Sequence, residues 1–282
     1  MSNNISLHIA KNRKKDCFFT RYEDIEEELN FYPKEQFKDK IVYCNCDTTD
    51  SNFYKFFVDN FEKLGLKKVI ISCIEYDWNL LTNETSGAYK LEYFGKDKPP
   101  NKTLLNGDEK YPPGDFRSSE CISLLKEADL VITNPPFSLF REYLSLILKY
   151  RKKFILVFTQ NAIGYKEVFP FFMKREIWIG ATKRGGCFSF YINPKYKLET
   201  KNFFLQNGKT VIKMDGVCWV TNMHHTFVPS FPDISKNYYS PEKYPKYDNY
   251  DAINVDKISD IPCDYDGVIG VPLTFMMKWS YG

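Results

Sequence analysis

Between Lys40 and Ile179, short runs of β-branched and apolar residues alternate with stretches whose apolar residues recur at helical spacing. This alternation restricts the fold more than any other feature, because strand–helix–strand units lead to parallel pairing within one sheet. Ile41-Val42-Tyr43-Cys44, Lys68 to Cys73, Asp129 to Thr133, Phe154 to Phe158 and Ile177 to Ile179 read as strands. Ser51 to Leu64, Ser118 to Glu127, Phe140 to Tyr150 and Tyr165 to Arg175 read as helices. The first of these opens at Asp50-Ser51, carries Phe53, Phe56, Phe57, Phe61 and Leu64 at helical spacing, and stops at Gly65. An α/β fold with a mostly parallel sheet is expected, with ligands at the carboxyl ends of its strands.

Two regions break the rhythm. Asp77 to Gly114 is rich in Asn, Gly, Pro and Lys and holds one strand-like piece, Ala88 to Phe94. A loop of that length in a compact domain is usually functional. After Gly180 the helical pattern stops; Cys187 to Ile192, Thr210 to Lys213 and Val217 to Val220 read as strands, and Pro229 to Tyr250 as an irregular aromatic stretch. The change of texture suggests a core over residues 1–180 and a β/irregular portion over 181–282, with a single domain as the alternative.

Composition excludes several classes. In 282 residues, 43% hydrophobic and 17% aromatic content supply ample core and exclude a mainly disordered chain. A formal charge of +3, from 39 basic and 36 acidic residues, permits nucleic acid as a partner without demanding it. No apolar run approaches the ~20 residues of a membrane span. Met1 to Lys15 is polar and then basic, without the apolar segment of a signal peptide. A soluble cytoplasmic protein is expected. The eight cysteines are scattered as reduced thiols are, and Cys44-Asn45-Cys46 lacks a second pair at zinc spacing. His224-His225 has no further ligands at sensible spacing, so no metal is expected.

The chemistry concentrates after the third strand, at Asn134-Pro135-Pro136-Phe137. Two prolines bar both helix and ladder, so the chain leaves the strand extended and rigid. Such a segment presents the Asn134 amide and the Pro135 carbonyl side by side as acceptors, with a ring two residues on. A planar amine fits: its two N–H groups meet two acceptors and its ring stacks on Phe137. The same residues also suit a plain strand end stopped by a Pro-Pro turn.

Asn-Pro-Pro-aromatic resembles the catalytic motif of amino-group methyltransferases that use S-adenosylmethionine. Other segments narrow the resemblance. Lys15-Asp16-Cys17-Phe18-Phe19-Thr20 is similar to the box that precedes the core of many adenine-specific DNA methyltransferases. Val42 to Asp47 with Ser51-Asn52-Phe53, then Gly114 to Ser118, then Asn134 to Arg141, look like the EcoRI-type adenine methylase family. Gln160-Asn161-Ala162-Ile163, Tyr165-Lys166-Glu167 and Val271 to Phe275 continue it in family order. The resemblance implies a Rossmann-like class I methyltransferase core with helices on both faces of the sheet, followed by a target-recognition portion. The family pattern is expected to run a few residues past Lys278.

Site roles follow from the resemblance. Asn134, Pro135, Pro136 and Phe137 are the catalytic segment. Asp16, Phe18 and Thr20 close over the methionine end of the cofactor, with Asn45 and Asp47 beside it. Thr49 and Ser51 stand where the wider superfamily has glycines, so generic cofactor-loop reasoning is weak here. Asp115 and Phe116 resemble the pair that reads the cofactor's adenine, one accepting from its amino group and the other covering its face. The ribose usually meets an acid after the second strand, where Glu75 and Asp77 stand. Each has a plain alternative: Asp47 as a helix cap, Asp115 as a solvated loop acid, Phe18 as a hydrophobic anchor.

For DNA, Lys14 within Lys11 to Lys15, and Lys183-Arg184 before Gly185-Gly186, are the candidate phosphate contacts. Lys236 to Tyr250 offers further surface; Arg151 to Lys153 reads as solvated. The implied function is site-specific methylation of the adenine amino group in duplex DNA, with the base flipped out, by a stand-alone monomer of a restriction system or a virus. Two alternatives stay open: the same chemistry on RNA adenine or protein glutamine, and a catalytically silent DNA-binding relative.

Overall fold

In the computed structural model, residues 18–73, 87–192, 203–206, 208–228 and 236–279 are described. Lys14, Asp16, Glu75 and Asp77 lie outside them. The chain begins with β1 (Phe18–Thr20), α1 (Tyr22–Leu29), β2 (Ile41–Asn45), α2 (Asn52–Asp59), α3 (Phe61–Leu64) and β3 (Lys68–Cys73). Then come β4 (Tyr89–Tyr93), β5 (Asn101–Leu104), α4 (Ser119–Glu127), β6 (Leu130–Thr133), α5 (Phe140–Lys149), β7 (Lys153–Thr159), α6 (Phe169–Met173) and β8 (Trp178–Ile179). The last elements are β9 (Cys187–Ile192), β10 (Phe203–Gln206), β11 (Lys209–Asp215), β12 (Val217–Thr221), β13 (Ile253–Asn254), β14 (Ile269–Gly270) and α7 (Thr274–Trp279).

The main sheet has eight strands in the order β5-β4-β3-β2-β6-β7-β12-β8. Only the central β3, β2, β6 and β7 pair in parallel. The pairs β3–β4, β4–β5, β7–β12 and β12–β8 are antiparallel, so the sheet is mixed and not mostly parallel as expected. Parallel neighbours need a long crossover, which α2–α3 and α5 provide. Of the antiparallel pairs in this sheet, only β4–β5 is a short-link hairpin; β12 returns from distant chain to pair with both β7 and β8.

Strands β1, β9, β11 and β10 form a second, wholly antiparallel sheet in the order β1-β9-β11-β10. Gly216, at φ +76°, is the single residue between β11 and β12 and carries the chain from one sheet into the other. Phe188, Phe190, Ile192 and Ile212 of this sheet join the core formed by Val42, Val69, Ile132 and Val157 of the main sheet. Trp219 packs edge-on against Phe53 at 6.1 Å and Phe188 at 5.2 Å. Each such buried aromatic contributes about 1.5–3 kcal/mol of transfer free energy.

Helix boundaries differ from the expected ones for local reasons. The stretch Ser51 to Leu64 breaks at Asn60, whose Nδ2 donates to the Phe56 carbonyl at 3.0 Å and competes with the helix ladder. The expected helix Tyr165 to Arg175 survives only as Phe169–Met173, after a 3₁₀ turn over Gln160–Gly164. Pro170 explains this: lacking an N–H, it is tolerated only in a first turn, so the helix must start beside it. Helix α1 was not foreseen, although Ile25 and Leu29 are buried one turn apart and Glu23 and Asp24 sit in its first turn.

The chain divides into two compact units, Met1–Thr226 with Gly282, and Phe227–Tyr281. In the second unit Tyr244, Ile253, Val255, Ile258 and Ile261 form a small core. Tyr239 stacks on Tyr244 with ring centroids 6.0 Å apart. Among the described residues no helix is long and apolar enough to cross a membrane.

Candidate active site

From β2 the sheet grows to β3 on one side and to β6 on the other. In open α/β sheets such a reversal marks the place, at the strands' carboxyl ends, where ligands bind. Asn45 ends β2 and Thr133 ends β6. The chain leaves β2 through Cys46 at φ +68°, a left-handed turn uncommon for a residue with a side chain. The turn brings Asp47 back over the strand ends. There Ser51 Oγ donates to Asp47 Oδ1 at 2.6 Å, and Thr133 Oγ1 lies 2.6 Å from Asp47 Oδ2.

Burial pushes the Asp47 carboxyl up to about 7, although the Ser51 and Thr133 hydroxyls favour its charged form. Thr133 Oγ1 is also within hydrogen-bond reach of the Asn45 carbonyl. Its single proton serves one acceptor at a time. A protonated Asp47 donates to Thr133 and lets Thr133 donate to Asn45, whereas an ionised Asp47 takes the Thr133 proton. The Asn45 side chain is held from below: Ser72 Oγ donates to its Oδ1 at 3.1 Å, and Ser72 pairs with Tyr43 at 2.6 Å.

The segment after β6 is rigid as its prolines require. Pro135 is buried, and Phe137–Leu139 forms a 3₁₀ turn leading into α5. Asn134 Nδ2 donates to the Phe18 carbonyl of β1 at 3.0 Å. Its Oδ1 is buried and has no hydrogen-bond partner among the described residues. Thr20 Oγ1, two residues along β1, is likewise buried without one, while the Thr20 carbonyl accepts from Asn52 Nδ2 at 2.8 Å. Orphaned buried polar atoms are costly, and a ligand that pairs with them recovers the difference. The Phe137 ring stands edge-on to Phe190 at 6.4 Å, and Phe18 packs on the same Phe190 at 5.8 Å.

Gly114 sets the third wall. At φ +77° it lies so close to β3 that a Cβ would sit 2.6 Å from the Cys73 carbonyl oxygen. The next residue, Asp115, is thereby delivered beside the ends of β3 and β2. Its carboxylate is gripped by Arg117, Nε to Oδ1 at 2.9 Å and Nη2 to Oδ2 at 2.8 Å, which fixes its plane. The Phe116 ring is buried edge-on to Tyr143 at 5.1 Å. The Tyr143 hydroxyl is a third buried group without a partner among the described residues.

Phe18, Thr20, Asn45, Asp47 and Asn134 are thus tied together by side-chain and backbone bonds, with Asp115 alongside. Lys183 and Arg184 are held elsewhere, in the turn after β8. The Lys183 ammonium pairs with Asp24 at 3.0 Å and Glu27 at 2.6 Å. Arg184 Nη1 donates to the Gly180 carbonyl at 2.7 Å. Beneath that turn lies Glu28, wholly buried, accepting from Ala181 N, Thr182 N, Thr182 Oγ1 and Tyr32 OH at 2.6–2.9 Å. The polar roles of Thr133, Tyr143 and Glu28 left no sequence signal, since each reads as an ordinary strand or helix residue. His225 is buried with Nε2 3.2 Å from the Ile179 carbonyl, while His224 is exposed.

Residues 6–281 match the family described as adenine-specific methyltransferase EcoRI. The chain belongs to this family. It is similar to the type II methyltransferase M.EcoRI of Escherichia coli, 45% identical over 287 positions, covering 97% of this chain and 86% of that protein. Type II methyltransferases of two mycoplasmas also align. M.MgeORF184P of Mycoplasma genitalium is 40% identical and M.MpnI of Mycoplasma pneumoniae 37%, each covering 95% of this chain and 80% of the relative. No solved structure matches the chain significantly. The residues gathered after β2 and β6 are the candidate site of this adenine-specific methyltransferase.

Proposed function

We propose that this adenine-specific methyltransferase transfers a methyl group from S-adenosylmethionine to the exocyclic N6 of an adenine flipped out of duplex DNA, on a Rossmann-like core. The observation that carries the reading is the Asn134 amide: Nδ2 is committed to the Phe18 carbonyl, and Oδ1 is left buried without a protein partner among the described residues. Such an oxygen suits an incoming N–H. Asn134 Oδ1 and the Pro135 carbonyl accept the two amino protons of adenine. Those bonds favour a pyramidal nitrogen whose lone pair is freed from the ring, and they strengthen as charge develops. Phe137 stacks on the extruded base.

The residues present fit the cofactor. Thr20 Oγ1 and the Tyr143 hydroxyl are buried groups needing partners, and Asp47 offers a carboxylate to a cationic ligand end. Asp115, its plane set by Arg117, is the acceptor proposed for an adenine amino group. When bound, S-adenosylmethionine supplies a methyl group already activated by its sulfonium. Positioning for in-line displacement then provides most of the acceleration, and no dedicated base is needed. Phe18, Thr20, Asn45 and Asp47 hold the methionine end, Asp115 and Phe116 the adenine end. The protein acts as a monomer where DNA is found, with Lys183 as a phosphate contact that exchanges its carboxylate partners for the backbone.

The test offers labelled S-adenosylmethionine with unmethylated duplex DNA, total RNA and protein extract side by side. Label recovered from DNA as N6-methyladenine is the expected result. Label in RNA or in protein glutamine overturns the substrate while keeping the Asn134 chemistry, and cofactor binding with no transfer identifies a silent relative.

A further inference from the structure

The four-stranded sheet runs from β1, which carries Phe18 and Thr20, to β10, beyond which no described strand pairs. Its register aligns Phe18, Ile192, Thr210 and Leu205 in one row, and Thr20, Phe190, Ile212 and Phe203 in the next. Directly opposed residues point to the same face. At the inner end that face is sealed: Phe190 is 0% and Ile192 5% exposed, and Phe137 stands against Phe190. At β10 the same apolar face meets solvent, with Phe203 49% and Leu205 74% exposed; Phe204, on the reverse face, is 46% exposed. Exposed apolar edge strands are normally avoided, because they invite association. Lys209 and Lys213 of β11 are exposed on the reverse face, with the Lys209 ammonium 4.9 Å from the centre of the Tyr191 ring, and Asp215 is exposed on the same face.

We propose that β10 is a wedge that enters the base stack of duplex DNA beside the target adenine, with Phe203 and Leu205 holding open the step from which the base has left. This rests on the DNA-adenine reading above. Taking a base out of a duplex leaves neighbours unstacked, and proteins that open base steps do so with apolar side chains such as Phe and Leu. The bordering lysines suit the phosphates of the same strand. The sheet gives the wedge its reach: β10 lies two strand spacings, about 10 Å, from β9. A duplex seated on β10 therefore presents its target beside the Phe137 face, while the wedge stays clear of the Asn134 amide.

The test is the double variant Phe203→Ser with Leu205→Ser. It is assayed on a duplex with the target adenine paired to thymine and on the same duplex with an abasic site opposite it. Pre-opening the pair removes most of the work assigned to the wedge. Methyl transfer to the paired duplex should fall about ten- to a hundredfold, while transfer to the abasic duplex stays within about threefold of the unsubstituted protein. Thermal unfolding and S-adenosylmethionine affinity, read in parallel, should be unchanged. Full activity on the paired duplex overturns the wedge. Equal losses on both duplexes, or loss of a concentration-dependent dimer in the variant, overturn it in favour of general binding or self-association. If the unsubstituted protein methylates neither duplex, the DNA-adenine reading itself falls and takes the wedge with it.

Discussion

The Asn134 side-chain amide donates to the Phe18 carbonyl across 3.0 Å, joining the segment after β6 to the strand that opens the described chain. This bond orients the amide. With Nδ2 on a fixed acceptor, the buried Oδ1, without a partner among the described residues, is available as an acceptor and not as a donor. A residue 116 positions away thereby decides the polarity of the amide proposed to meet the substrate.

Removing that acceptor should separate turnover from cofactor binding. Asn134→Ala is expected to lower the rate of methyl transfer by about 10²–10³-fold, the usual effect of losing one preorganised polar partner of a transition state. Affinity for S-adenosylmethionine should stay within several-fold by calorimetry. Unchanged turnover would remove Asn134 from the chemistry.

If Asp47 meets the cofactor as proposed, affinity is expected to depend on pH. Its folded value, about 7, lies above its ordinary 3.8. Between these values the folded chain holds a proton that the unfolded chain has lost, so Asp47 makes stability fall as pH rises through that window and adds no slope above it. A cationic ligand needs the ionised form, so affinity for S-adenosylmethionine should rise from pH 6 to pH 8. Asp47→Asn should weaken binding and abolish the increment that Asp47 contributes. A wild-type affinity that is flat over this range sinks the assignment.

Lys183 holds two carboxylates and is proposed to trade them for phosphate. Measured as log K against log salt, DNA binding by Lys183→Ala should show a slope smaller by about one unit. An identical slope would assign Lys183 to Asp24 and Glu27 alone.

Glu28 stabilises the turn after β8. Glu28→Ala leaves Ala181 N, Thr182 N and the Tyr32 hydroxyl without their buried acceptor, at about 1–3 kcal/mol for each group. Denaturant unfolding should show a loss of about 3 kcal/mol or more. Glu28→Gln, which keeps an acceptor oxygen, should lose less. Equal losses for the two variants would mean that the carboxylate, and not an acceptor oxygen as such, holds the turn.

Much of this was legible in the chain. β3 and β9 have their expected bounds, and Ser51, Ser118 and Gly65 cap their helices because capping is a matter of a few adjacent residues. The Asn-Pro-Pro-Phe segment was legible too, since two prolines dictate an extended exit whatever surrounds them. Helix α1 and strands β1, β5 and β10 escaped notice: they are short, and β5 and β10 carry exposed side chains that leave no pattern of burial.

Local sequence alone determined the α/β alternation and the stops and caps. Tertiary structure decided the rest. It divided the later strands among three sheets, turned the edges of the main sheet antiparallel, and raised the Asp47 carboxyl by burying it beside Thr133. It also set which atom of Asn134 lacks a partner among the described residues. The reason is the range of the forces: propensity and capping act over a few residues, whereas burial, register and the partner of a side-chain amide depend on chain segments far apart in sequence that only folding brings together.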